Sequence, residues 1–558
     1  MPTTRFLAAA CPLLLAAACA SAQPATATPP SAAAGPRALA CAALLHLQVP
    51  GAAITSAQAI AAGAFPAPPP GPYGGNSAAL FSKLPAFCRV VATAKPTSDS
   101  AIAIELWMPL QDWNGRFEGI GNGGFAGSID TSGLAALMAR GYAVAATDTG
   151  HSGSPIDASW AVGHPQKIVD FGYRGIHEMT RVAKLVVEKF YASPATHSYF
   201  SGCSDGGREA LMEAQRYPAD YDGILAGAPA NFWTRLVTIG VTDTQALEAT
   251  PESFIPPKKI PAIAHAVLAA CDQLDGVRDG ILNDPRQCHF DPASIECRNG
   301  EDTGECLTAP QVTALKTIYA GLQDEHGHNL FPGYLPGAEE GFGGWSLWIT
   351  GPAPGKSLMA AFGGGFYADM VYEKPDWDLK SFNLETGLPL ARQKTAGALN
   401  AIDPDLKPFR SRGGKLILYH GWDDPAIPSL NTVNYYQSVV DTLGWADTDS
   451  FLRLYMVPGM QHCFGGPGPD NFGQMPTWNP DPKYNMRTAL EVWVEKGTAP
   501  AAIIATKSAV PGQPAAAGAE GAPEMTRPLC PYPKEAQYNG SGDANAAQNF
   551  VCAPEKRN

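Results

Sequence analysis

The sequence predicts an α/β protein: a parallel sheet covered by helices on both faces and split by one large insertion. Three observations carry this. Short apolar runs alternate with a helical pattern across residues 101–227. The alternation lapses from about Phe232 to Ile402, where Gly, Pro and aromatic residues dominate, and it resumes at Lys415. A glycine-rich turn, Gly202-Cys203-Ser204-Asp205-Gly206, stands between an apolar run and a helical one. The expected layout is therefore one α/β domain made of residues 41–231 and 403–558, with 232–402 inserted near the C-terminal edge of the sheet as a lid.

Taken in order, residues 101–108 are mostly apolar and read as a strand. Residues 116–120 are a second strand, running into the turn 121–127, and 141–147 a short buried one. Apolar residues then recur at helical spacing over about 167–191 (Ile168, Ile176, Met179, Val182, Leu185, Val186). Residues 198–201 form the strand entering the glycine-rich turn, 208–216 the helix leaving it, and 221–227 a further strand. Beyond the insertion come strands at 415–419 and 451–457 and a helix at 485–496. No internal repeat is present.

The chain has 558 residues, 45% hydrophobic and 16% charged, enough to bury a large core. Lys+Arg number 39 against 52 Asp+Glu, a net charge of -13, and no basic cluster occurs, which argues against a nucleic-acid partner. Residues 1–22 read as a signal peptide: Arg5 supplies the positive start, 6–18 are apolar but too short to span a membrane, and Ala20-Ser21-Ala22 fits a cleavage site. Lipid attachment at Cys19 is the rival reading. Residues 23–40 read as a disordered leader. No other segment looks transmembrane. Export leaves ten cysteines, an even number that implies disulfides. The pairs 271/288, 297/306 and 530/552 are local in sequence, although counting alone leaves the connectivity open.

A Gly-x-Ser-x-Gly turn between strand and helix is the nucleophile elbow of α/β-hydrolases. The glycines permit a tight turn that lifts the Ser204 hydroxyl above the sheet, and the helix N-terminus adds positive potential. On the pentapeptide alone, an ordinary strand-to-helix turn stays open. A catalytic triad needs an acid and then a histidine downstream. Asp423 and Asp424 follow one strand, and His462 follows the next. His462 would make the hydroxyl nucleophilic, and the acid would fix the imidazole tautomer. Asp424 is favoured because it precedes Pro425 in the turn; Asp423 is the fallback. The oxyanion donors expected are the N–H of Asp205, directly after the nucleophile, and that of Gly124 or Gly123 in the early glycine-rich loop. Cys203 precedes Ser204 and Cys463 follows His462, so meeting of serine and histidine would bring the two cysteines together.

Cys-Ser-x-Gly-Gly-Arg (203–208) with His-Cys (462–463) resembles the tannase and feruloyl esterase family, whose bacterial branch includes mono(2-hydroxyethyl) terephthalate hydrolases. The resemblance runs over about 41–552. It implies an α/β-hydrolase fold with an inserted lid and a disulfide between Cys203 and Cys463. It also implies the pairs Cys41/Cys88, Cys271/Cys288, Cys297/Cys306 and Cys530/Cys552. The competing reading makes Cys203 itself a reactive nucleophile; the neighbouring Cys463 argues against it.

Within the lid, Asp272, Asp275 and Asp279 lie on one glycine-punctuated loop, with the backbone carbonyls of Val277 and Ile281 nearby. Such oxygens suit a hard cation, though the spacing is not that of an EF-hand. A solvated acidic turn is the plain alternative; the resemblance implies a structural Ca²⁺ there. The lid also carries Trp345, Trp348, Phe362, Phe366, Tyr367 and Trp377, which would line a slot for an aryl group or form the lid's own core. No Arg occurs over 341–391, so nothing bidentate is offered to a free aromatic carboxylate, although Lys356 or Lys374 remain available. This favours neutral phenolic esters over a terephthalate monoester. The expected protein is a secreted serine carboxylesterase acting on small hydroxycinnamic- or gallic-type esters. A serine peptidase or acyltransferase, and a non-catalytic calcium-stabilised carbohydrate-binding protein, are the other readings.

Overall fold

The structure is a computed structural model of the chain and describes residues 36–68, 78–298, 301–475, 479–507 and 524–554. The expected signal segment, Cys11, Cys19 and residues 23–35 of the leader lie outside these residues. The end of the expected leader is ordered: a helix spans Pro36–Ala43, and Cys41 ties it to the sheet through Cys88.

Seven strands precede the insertion: β1 (Ala52–Ile60), β2 (Phe87–Ala94), β3 (Ile102–Pro109), β4 (Arg116–Ile120), β5 (Ala143–Thr147), β6 (His197–Cys203) and β7 (Gly223–Gly227). The insertion contributes a small hairpin, β8 (Leu322–Gln323) and β9 (Asn329–Phe331), and the sheet resumes with β10 (Lys415–Gly421) and β11 (Leu452–Val457). The central sheet has the order β1-β2-β3-β5-β4-β6-β7-β10-β11. It is parallel from β5 to β11, whereas β1, β2 and β3 pair antiparallel with each other and β3 with β5. The expectation of a parallel sheet is thus corrected at this edge. The short connection 95–101 is too brief for a crossover helix and closes β2 and β3 as a hairpin. β1 escaped the sequence reading because its Ala-rich, half-exposed residues lack an apolar run.

Alternate residues of one strand enter different cores. Phe200, Leu416 and Leu418 pack with helices Gly175–Tyr191 and Asp205–Arg216, while Tyr199, Ile417 and Tyr419 pack with helix Met486–Lys496. Burial on both faces is why these strands read as continuous apolar runs. The helical stretch expected over 167–191 is broken by a π-helical turn at Asp170–Arg174. The inserted segment builds its own core around Trp345, Phe366 and Tyr367. That core also takes in Phe125 and Phe171 from before the insertion and Ala426 and Ile427 from after it.

The reversal of β4 and β5 in the sheet order matters for the site. It sets β4 directly beside β6, with Ile120 opposite Ser201. The loop leaving β4 is thereby laid against the turn leaving β6, and Gly121 N–H donates to the Ser201 carbonyl at 2.9 Å.

Candidate active site

Ser204 follows the last residue of β6 and caps helix Asp205–Arg216 with φ +67° and ψ −122°, a conformation strained for any residue but glycine. The surroundings enforce it. Ser204 N–H donates to Gly227 O (3.0 Å), and its own carbonyl accepts from Arg208 and Ala230 N–H groups (both 3.1 Å). Glycine is required on both sides: a Cβ on Gly202 would meet the Gly206 carbonyl at 2.5 Å, and one on Gly206 would meet Asn122 O at 2.8 Å.

The Ser204 hydroxyl lies 2.9 Å from His462 Nε2, and His462 Nδ1 lies 2.8 Å from Asp424 Oδ2. Nδ1 faces a carboxylate and so carries the ring proton, leaving Nε2 to accept from the hydroxyl. Asp424 Oδ1 accepts from the N–H groups of Ala426 (2.8 Å) and Ile427 (2.9 Å) in the turn that Pro425 shapes. Burial by itself would raise the Asp424 carboxyl. The His462 charge, together with hydrogen bonds from His420 and His462, outweighs it and holds the group well below the usual carboxylate range. Asp423 makes no hydrogen bond or ion pair with His462. Its Oδ1 is buried without a partner, and burial plus the charge of Glu339 push its carboxyl well up.

Cys203 and Cys463 are disulfide-bonded with Cα atoms 6.0 Å apart, so residues adjacent to Ser204 and His462 are covalently joined. Cys463 also sits at positive φ, +65°. The other four bonds are Cys41–Cys88, Cys271–Cys288, Cys297–Cys306 and Cys530–Cys552, which accounts for every cysteine among the described residues. Bonded Cys203 has no thiol to serve as a nucleophile.

The loop after β4 is stitched to helix Asp205–Arg216 through Asn122 and Glu209. Asn122 N–H donates to Glu209 Oε2 and Gly206 N–H donates to Asn122 O, both at 2.8 Å. The Asn122 amide reaches the carbonyls of Thr147 (2.9 Å) and Ser128 (3.1 Å). Gly124 has φ +60°, and a Cβ there would strike Pro155 O at 2.2 Å. Gly123 and Gly124 line the same cavity as Ser204. Asp205 is the first residue of the helix; its buried carboxylate pairs with Arg208 at 2.7 Å, and the Arg208 guanidinium also donates to the carbonyls of Phe171 and Gly172.

A cavity of about 960 Å³ opens over Ser204 and His462. Of the six lid aromatics singled out above, Trp348 and Phe362 line it, as does Phe342; the Trp348 ring meets the His462 ring edge-on at 5.0 Å. Trp345, Phe366 and Tyr367 are buried in the lid core, and Trp377 packs on Tyr367 and Tyr372. The acidic residues Asp130, Glu339 and Glu340 line the cavity, whereas neither Lys356 nor Lys374 does. Its lining arginine, Arg487, is already paired with Glu118 and Ser201.

In the acidic loop, Asp272 Oδ1 accepts from Asp279 (3.3 Å) and Gly280 (3.0 Å) N–H groups, and Asp275 Oδ1 from Val277 N–H (2.9 Å). Asp279 Oδ1 accepts from Ile281 N–H at 3.2 Å, and its Oδ2 accepts from Arg527 at 2.5 Å. The sequence offered no sign of Arg527, which arrives from the C-terminal segment. Burial, with the charges of Asp279 and Asp272, pushes the Asp275 carboxyl up to about 6, a repulsion a divalent cation would relieve. The donor chemistry suits a hard cation. As the side chains stand, no three His, Cys, Asp or Glu groups converge at ligating distance among the described residues.

A hydroxyl held on an elbow above a doubly covered sheet, within reach of a histidine oriented by a carboxylate, belongs to the α/β-hydrolase fold, and its relatives make this chain a carboxylic ester hydrolase. The family model for tannase and feruloyl esterase matches residues 88–553, and the chain belongs to that family. It is 40% identical over 547 residues to an uncharacterised esterase of Xanthomonas campestris, covering 93% of this chain and 92% of the relative. It is 34% identical over 542 residues to the mono(2-hydroxyethyl) terephthalate hydrolase of Piscinibacter sakaiensis (85% and 86% covered). Among solved structures, feruloyl esterase B from Aspergillus oryzae superposes with a TM-score of 0.83 at 28% identity, covering 93% of this chain and 100% of that one.

Proposed function

We propose that the chain is an exported serine carboxylesterase that hydrolyses esters of aromatic acids through Ser204, His462 and Asp424. The unbroken hydrogen-bonded line Ser204–His462–Asp424 on the floor of an aromatic-lined cavity carries this reading. Ser204 Oγ attacks the ester carbonyl carbon while its proton passes to His462 Nε2. The oxyanion rests on the N–H groups of Asp205 and Gly124, with Gly123 the alternative second donor. Collapse expels the alcohol, which takes the proton from His462, and leaves an acyl-Ser204 ester. Water then attacks, gives its proton to His462, and the aromatic acid leaves as Ser204 recovers a proton. Asp424 stays ionised throughout and stabilises the imidazolium.

The acid-binding end of the substrate is read as neutral. The cavity offers Trp348 and Phe362 to an aryl ring and is lined by carboxyl groups rather than free cations. Feruloyl- and galloyl-type esters suit this better than a terephthalate monoester, which remains the second reading because of the terephthalate-hydrolase relative. A structural calcium held by Asp272, Asp275 and Asp279 with the carbonyls of Val277 and Ile281 belongs to the same proposal. Its support is the crowding of carboxylates on one loop. Five disulfides are consistent with an extracellular or periplasmic protein. The deciding experiment is Ser204→Ala assayed on methyl ferulate and methyl gallate, with fluorophosphonate labelling of the parent protein. Loss of turnover and of labelling is expected; retained activity sinks the assignment.

A further inference from the structure

His420, the penultimate residue of β10, is completely buried and touches the acid that orients His462. Its Nε2 lies 3.1 Å from Asp424 Oδ2 and 3.1 Å from the Ile427 carbonyl, and its Nδ1 lies 2.7 Å from Thr432 Oγ1. Both neighbours of Nε2 accept only, so Nε2 carries the proton and Nδ1 accepts from the Thr432 hydroxyl. Thr432 is itself fully buried, on helix Leu430–Leu443. The ring is therefore fixed at both nitrogens.

The consequence falls on Asp424. Its Oδ1 is filled by two backbone N–H groups, and its Oδ2 is divided between His462 Nδ1–H and His420 Nε2–H. We infer that His420 is a positioning residue that fixes the Asp424 carboxylate and, by drawing on the same oxygen, lowers the basicity of His462. The inference rests on the proposed roles of Ser204, His462 and Asp424. An oxygen that already accepts one N–H is a weaker partner for a second, so the imidazolium form of His462 is less stabilised than it would be by an undivided carboxylate. Other titratable groups near Asp424 do not replace this effect. The Tyr334 phenol is pushed well up by burial and by the charges of Asp243 and Asp424, and so stays neutral. The neighbouring Asp423 and Glu339 carboxyls are both pushed up by burial, which favours their uncharged forms. Ser204 and the Trp348 ring, which also face His462, carry no charge.

The test is the pH profile of kcat/KM on a neutral aryl ester for the parent, His420→Leu, His420→Gln and Ser204→Ala. Leucine removes the shared donor. The acidic limb is expected to move up by about half a pH unit or more, with kcat down about tenfold and KM within about twofold. Glutamine places an amide N–H near the Nε2 position and is expected to restore the parental limb. A leucine variant with an unmoved limb, or a glutamine variant shifted as far as leucine, overturns the inference. If His420→Leu does not fold, Thr432→Val decides. It keeps the ring but removes the hydroxyl that fixes it, and is expected to shift the limb in the same direction by less; an unmoved limb overturns the inference. An active Ser204→Ala would instead overturn the underlying triad, which separates the two failures.

Discussion

Cys203 and Cys463 are covalently bonded across 260 residues of sequence, and each is the chain neighbour of one end of the Ser204–His462 hydrogen bond. The bond joins the two parts of the α/β domain that the insertion separates. It acts on geometry, since a bonded sulfur has no nucleophilic role.

Removing that clamp should loosen the Ser204–His462 distance. Mild reduction, or the double variant Cys203→Ser/Cys463→Ser, is expected to lower kcat about 10- to 100-fold, because small displacements of reacting groups cost about that much. KM should change little. Thiol titration alongside turnover checks this, and an undiminished kcat in the double variant contradicts it.

The two adjacent aspartates should behave unlike each other. Asp424→Asn is expected to lower kcat about 10⁴-fold, since an amide supports the wrong histidine tautomer. Asp423→Asn replaces a carboxyl whose neutral form the fold already favours, so its kcat should stay within about tenfold of the parent. Comparable losses in both variants would reverse the assignment of Asp424.

Calcium and pH should interact at Asp275. Its carboxyl is raised from 3.8 to about 6 in the fold. The folded state therefore binds more protons than the unfolded one between those values, and stability falls as pH rises through that window. In chelator, Tm should drop across it by at least about 2 °C more than in Asp275→Asn, which removes the parallel contribution of Asp148, also raised to about 6. Excess calcium should restore Tm at neutral pH. No response to either chelator or calcium would discard the metal.

Charge on the substrate should matter in one direction. With exposed Glu340 lining the cavity and Arg487 already paired, an ester carrying a free carboxylate should show a lower kcat/KM than its neutral methyl ester. Raising ionic strength should narrow the gap, because repulsion from exposed Glu340 is screened. A preference for the anionic ester would favour the terephthalate reading.

The linear sequence determined which residues are proposed to carry the chemistry, and their order. Ser204 on a glycine turn, acids after one strand and His462 after the next were legible because strand ends are marked locally by apolar runs that stop at Gly, Pro or Asp. Residues 232–402 stand out as a lapse in that alternation. What only the tertiary structure decided depends on groups distant in sequence. The pairing of His462 with Asp424 rather than Asp423 rests on which side chain the turn aims at the ring. The stitching of the Asn122 loop to Glu209 follows from β4 lying beside β6, an order no local pattern encodes. The division of the lid aromatics, with Trp348 and Phe362 toward the cavity and Trp345, Phe366 and Tyr367 inward, is a matter of helix rotation. Arg527 on Asp279 and His420 on Asp424 are polar contacts across a folded interior. Periodicity reports which residues are buried, but the partner of a buried polar group is set by packing in three dimensions, and so it was visible only there.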